Sequence, residues 1–82
     1  MQLEIITPEK KIFEGEVSLA SFPGSDGSFQ VLNNHAPLIS ILKEGVVEYK
    51  TEKQREQVKI SGGVVEVLNN KVILLADGVS KD

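Results

Sequence analysis

Residues 22–38 read FPGSDGSFQVLNNHAPL, Phe22 to Leu38, and this stretch decides the fold. Short apolar runs at Phe22 and at Phe29 to Leu32 are set among Pro23-Gly24, Asp26-Gly27, Asn33-Asn34 and Pro37. Glycine supplies positive φ without steric cost, asparagine tolerates it and proline fixes φ, so the backbone must turn repeatedly. The only histidine, His35, lies in the same stretch. A second segment, SGGVVEVLNNKVILLAD from Ser61 to Asp77, is punctuated as tightly. The two together predict a small, rigid all-β module whose loops make specific contacts.

Outward from these segments the chain reads as short strands. Gln2 to Thr7 puts Leu3 and Ile5 on one face, and Thr7-Pro8-Glu9 reads as a turn because Pro8 cannot donate to a ladder. Lys11 to Phe22 reads as one longer run with Phe13, Val17 and Leu19 at even spacing. Leu38 to Leu42 reads as a continuous apolar run, expected to be buried on both sides or to sit at a sheet corner. Glu44-Gly45 gives a hairpin signal before Val46. Val47 and Tyr49 then share one face while Glu48 and Lys50 take the other, and Lys50 to Lys59 holds a charged, solvated turn. Val58 and Ile60 alternate with Lys59 and Ser61, Gly62-Gly63 predicts a bulge or sharp bend, and Val65 and Val67 alternate around Glu66. Asn69-Asn70 makes a turn before the apolar strand Val72 to Ala76. The repeated VLNN, at Val31 to Asn34 and Val67 to Asn70, reads as one turn chemistry used twice. Helical periodicity is nowhere sustained, so a sandwich or barrel of short antiparallel strands is expected.

Length and charge narrow the function. Eighty-two residues make one domain, 1–82, which buries only ~60–65% of its unfolded surface, so partner surface would add to its stability. There is no cysteine, hence no disulfide framework and no thiolate metal site. The net charge is −3 with no basic block, which argues against nucleic acid. No apolar run approaches the ~20 residues of a spanning helix, and MQLEIITPEKK has neither secretory-signal nor transit-peptide character.

Catalytic constellations are missing. His35 has no second histidine and no spaced carboxylates around it, so a loop contact is favoured over a metal ligand or base. Gly24-x-x-Gly27 and Gly62-Gly63 lack the Lys-Ser/Thr end and following helix of a phosphate loop. No nucleophile elbow is present. The sequence predicts no enzyme activity, no cofactor, no metal and no small-molecule substrate.

The ordered pattern TPEKKIFEGEV, FPGSDGSFQVLNNHAPLISILKEGVV and VKISGGVVEVLNNKVILLAD closely resembles the epsilon subunit of F-type ATP synthases, from Leu3 to Asp77. His-Ala-Pro-Leu with Ser-Gly-Gly at this separation carries the resemblance. It implies a flattened ten-stranded β-sandwich at the foot of the rotating stalk, packed on the gamma subunit and resting on the polar loops of the c-ring. It implies a non-catalytic rotor subunit that couples proton flow to ATP synthesis. It further implies a place on the cytoplasmic side of a bacterial plasma membrane, touching the membrane only through the complex. By position, the resemblance offers Thr7, His35 and Ser40 for the gamma side, and Asp26, Gly27, Ser28 and Asn33 for the c-ring side. Turn or edge chemistry is the competing reading of each.

The sequence departs from the family pattern at four places. Asn34 stands for the glycine before the histidine, Asn33 for the preceding proline, Ser28 for an acidic residue and Glu44 for the hairpin proline. Family members usually continue into two C-terminal helices that brake ATP hydrolysis, and this chain as given is expected not to act by that route. The alternative is an unassigned β-sandwich interaction module. A biotinyl or lipoyl carrier would need a hairpin-tip lysine beside a methionine, and a cold-shock-like module would need surface aromatics and basic charge.

Overall fold

In the computed structural model, which describes residues 1–80, ten strands form one sheet curled on itself into a flattened half-barrel measuring 28 × 27 × 20 Å. The strands are β1 Gln2–Ile6, β2 Lys11–Glu16, β3 Leu19–Gly24, β4 Gly27–Leu32, β5 Leu38–Leu42, β6 Gly45–Lys50, β7 Arg55–Ile60, β8 Gly63–Leu68, β9 Lys71–Ala76 and β10 Val79–Ser80. Their order is β10-β7-β6-β3-β5-β8-β9-β1-β2, with β4 on the flank of β3. Every pairing is antiparallel except β1 with β9, which run parallel from Gln2↔Lys71 to Ile6↔Leu75.

Alternation builds the core. Leu3, Ile5, Val47, Tyr49, Val58, Ile60, Val65, Val67, Val72 and Leu74 all point inward and are buried. Each fully buried side chain of this size contributes roughly 1.5–3 kcal/mol. Edge strand β2 folds back over β6, where the rings of Phe13 and Tyr49 lie 4.5 Å apart and close the half-barrel. Phe22 and Phe29 pair at 5.7 Å across the β3–β4 hairpin.

The turns form where the punctuation predicts. Asn69 and Asn70 have φ of 51° and 61°, so both central residues of the two-residue β8–β9 hairpin are left-handed, as a type I′ turn requires. Gly62 and Gly63 have φ of 150° and 155°, and a Cβ on Gly63 would run into the backbone carbonyl of Leu75. The bend into β8 therefore needs glycine.

Three expectations are corrected. The run Lys11 to Phe22 is two strands: the buried residues are Val17 and then Ala20 and Phe22, so the alternation changes phase at Val17-Ser18, where the chain turns. Glu44-Gly45 does not close a hairpin, because β3 separates β5 from β6. There the Lys43 N–H donates to the Pro23 carbonyl at 2.9 Å, and Gly24 pairs with Leu42. Proline suits this corner, where β3 has left the β6 ladder and needs no donor. Finally, β5 is buried on one face only: Ile39 and Ile41 are 71% and 65% exposed. The corner half of that expectation fits the Leu42 end.

Candidate interaction surface

The strand registers sort the loops onto two opposite rims. The aspartate rim carries Thr7–Lys10, Ser25-Asp26, Lys43-Glu44, Ser61-Gly62 and Asp77-Gly78. The asparagine rim carries Val17-Ser18, Asn33–Pro37, Thr51–Gln54 and Asn69-Asn70. The predicted residues divide accordingly. Thr7 lies on the same rim as Asp26, Gly27 and Ser28, whereas Asn33 and His35 lie on the other. Asn33 is thus held a strand length from the Asp26 tip it was grouped with.

Each of these residues has a local role. Thr7 is buried; its hydroxyl donates to the Lys10 carbonyl at 3.0 Å and accepts the Lys10 N–H at 3.1 Å. Thr51 closes the β6–β7 turn in the same way with Gln54. Asp26, Gly27 and Ser28 are exposed, and Gly27 takes φ 131°. Asn33 accepts the Met1 ammonium through Oδ1 at 2.6 Å. Asn34, at φ 63°, donates its backbone N–H to Asn70 Oδ1 at 2.8 Å, so the two VLNN turns meet and brace each other. His35 is half-buried, with Nδ1 2.7 Å from the Ala36 carbonyl. Ser40 shares a ladder row with the inward-facing Val65 and Leu74, so it faces the interior from the middle of β5.

The neighbours of Ser40 form the surface that sequence reading missed. On the outer face of β5, β8 and β9, Ile41, Val64 and Leu75 make one cross-strand row. Ile39, Glu66 and Ile73 make the next. Leu68 extends the patch toward the asparagine rim, and Ile6 on β1 extends the first row. Val64, Leu68 and Leu75 are exposed along with the two isoleucines. Single exposed apolar residues are ordinary, but adjacent rows of them mark a surface meant to be covered. The one signal in the sequence was the failure of LISIL and VILLA to alternate cleanly.

Electrostatics around this surface are modest. Lys11 donates to Glu14 at 2.9 Å and to Glu4 at 3.3 Å on the outer face of β1–β2. These bonds raise the Lys11 ammonium pKa and hold the Glu14 carboxyl below its usual range. Burial, and then the Glu56 charge, push the Tyr49 hydroxyl up. Among the described residues no three His, Cys, Asp or Glu side chains gather to hold a metal ion.

Against known proteins, residues 1–82 match the family described as ATP synthase, Delta/Epsilon chain, beta-sandwich domain. The ATP synthase epsilon chain of Chlorobium limicola is 45% identical over 80 residues, covering 96% of this chain and 91% of that one. The epsilon chain of Helicobacter pylori strain P12 is 41% identical over 78 residues. That alignment covers 95% of this chain but only 63% of the relative, so the chain spans less than two thirds of that longer protein. Among solved structures, a chain of the central stalk and c-ring of the Tetrahymena thermophila mitochondrial ATP synthase superposes with a TM-score of 0.83 at 17% identity. It covers 98% of this chain and 65% of that one, a likeness of fold.

Proposed function

The chain belongs to the family of ATP synthase delta/epsilon β-sandwich domains, and on that premise we propose that it is the non-catalytic epsilon subunit of a central stalk, fastening gamma to the c-ring. The observation that carries this reading is the apolar outer face of β5, β8 and β9. Such a face suits a long-lived contact with one apolar partner surface, and gamma is the partner we assign to it. Thr7 and His35 stand at opposite ends of strands that carry or border this face. They are the candidates for its margin, with Ile39 and Ile41 replacing Ser40 at its centre. The exposed hairpin tip at Asp26, Gly27 and Ser28 is our candidate for the c-ring contact. It projects from the aspartate rim, so it and the apolar face can be engaged at once. Asn33, on the other rim, is left out of that contact.

The fold suits transmission of torque. An elementary charge crossing a membrane is worth ~2.3 kcal/mol per 100 mV, and work from several charges must pass through the stalk without slippage. Short strands, braced turns and a closed core resist deformation better than a flexible chain. We further propose a peripheral position on the cytoplasmic face of a bacterial plasma membrane; among the described residues no helix is long and apolar enough to cross one. Co-expression with the gamma subunit of the same ATP synthase tests the proposal. A stoichiometric complex is expected, and gamma that is folded yet purifies alone would reject it.

A further inference from the structure

Glu66 is the one charged residue in the two apolar rows. It shares its row with Ile39 on β5 and Ile73 on β9, and Val64 and Leu68 flank it on its own strand. It is exposed and makes no hydrogen bond or ion pair among the described residues. Lys71, the nearest cation by register, is a diagonal neighbour opposite Leu68. It lines one shallow surface depression with Glu66, Leu68 and Ile73, yet makes no ion pair with Glu66 among the described residues.

Water now solvates the Glu66 carboxylate. A partner that covers the surrounding side chains removes that water, and an unpaired carboxylate in such a setting is strongly disfavoured. We propose that the partner presents a lysine or arginine to Glu66 at the centre of the β5–β8–β9 face, and that this pair sets which gamma subunit the chain accepts. The inference rests on the assignment of that face to gamma. The apolar rows supply area without selectivity, because any flat apolar surface satisfies them. A buried carboxylate rejects every partner that lacks a cation at the matching point, and a like charge there is rejected most.

The test is equilibrium binding to the cognate gamma subunit at low and high salt. The parent chain is compared with Glu66→Gln, Glu66→Lys and Lys71→Gln. Glu66 is exposed and unpaired, so all four proteins are expected to melt alike. Glu66→Gln should weaken binding roughly thirtyfold, the scale for truncating one member of a buried charge pair. Glu66→Lys should weaken it further, and Lys71→Gln should leave it within about threefold of the parent. If Glu66→Gln binds as the parent does, the pair is absent and the inference fails while the assignment of the face stands. If Lys71→Gln costs as much as Glu66→Gln, an internal pair neutralises the carboxylate and the inference fails. A parent chain that does not bind gamma overturns the assignment of the face and the inference with it.

Discussion

The outer faces of β6–β7 and of β5–β8–β9 cover the same core, yet they are built differently. On β6–β7 the outward rows are Val46 with Lys59, Glu48 with Gln57 and Lys50 with Arg55, and Arg55 reaches Glu48 at 3.6 Å. On β5–β8–β9 they are Ile41, Val64 and Leu75, then Ile39, Glu66 and Ile73. Both faces alternate correctly toward the interior, where Val47, Tyr49, Val58 and Ile60 answer Val65, Val67, Val72 and Leu74. The fold therefore needs no apolar residue on either outer face. Those on β5, β8 and β9 are better explained by a partner than by folding.

The strongest way to break this contrast is to place charge on the apolar side. The double variant Ile39→Asp, Ile41→Asp should lose at least a hundredfold in affinity for gamma, since central apolar anchors dominate such interfaces. Its melting temperature should stay near that of the parent, because both side chains are already exposed. Isothermal titration and thermal melting of the same protein check both halves. A collapse in melting temperature with unchanged affinity among folded molecules would return these residues to a folding role.

The margin of the face should matter less. His35, half-buried on the asparagine rim, can add one or two hydrogen bonds to a partner, each worth ~0.5–1.5 kcal/mol net. His35→Ala should therefore weaken gamma binding about tenfold without unfolding the domain. Titration calorimetry with gamma, beside a melting curve, reads both quantities; equal affinity with a lower melting temperature would leave His35 a loop-shaping residue.

The smallest effect should come from the exposed Lys11 cluster, where no apolar burial is at stake. Glu14 has a lowered pKa, so its stabilisation is present above the ordinary carboxylate range and is lost as pH falls through its folded value. Lys11 has a raised pKa, so its part is lost only as pH rises through its own folded value. Lys11→Met should lower the melting temperature slightly at neutral pH, less so in high salt, and not at all once Glu14 is protonated. Melting curves across acidic pH check this; a deficit that persists in acid would point to lost packing of the lysine stem instead.

Much of the fold was legible in the residues. Period-two alternation located the core positions of β1, β6, β7 and β8, and Gly62-Gly63 and Asn69-Asn70 turn where their backbone freedom allows. Pairing was less legible. Glu44-Gly45 has hairpin composition, but composition cannot reveal that Gly24 arrives between the two strands flanking it. The parallel match of β1 with β9 joins opposite ends of the chain and leaves no local mark. The division of Leu19–Phe22 from Lys11–Glu16 appears only as a change of phase at Val17-Ser18. At the candidate surface, attention to loop residues singled out Thr7, Asp26 and His35 and passed over Ile39, Ile41, Val64 and Leu75. A run such as LISIL is apolar on both faces whether the second face is covered by its own chain or by another. The sequence carries the need for cover, and only the sheet register shows that the described residues do not supply it.

Methyl NMR of the domain titrated with gamma tests the central claim most directly. Large shifts and line broadening are expected for the methyl groups of Ile39, Ile41, Val64, Ile73 and Leu75, with Val46 on the polar face unchanged. Shifts centred on Val46 and its β6–β7 surroundings, with Ile39, Ile41, Val64, Ile73 and Leu75 unmoved, would contradict it.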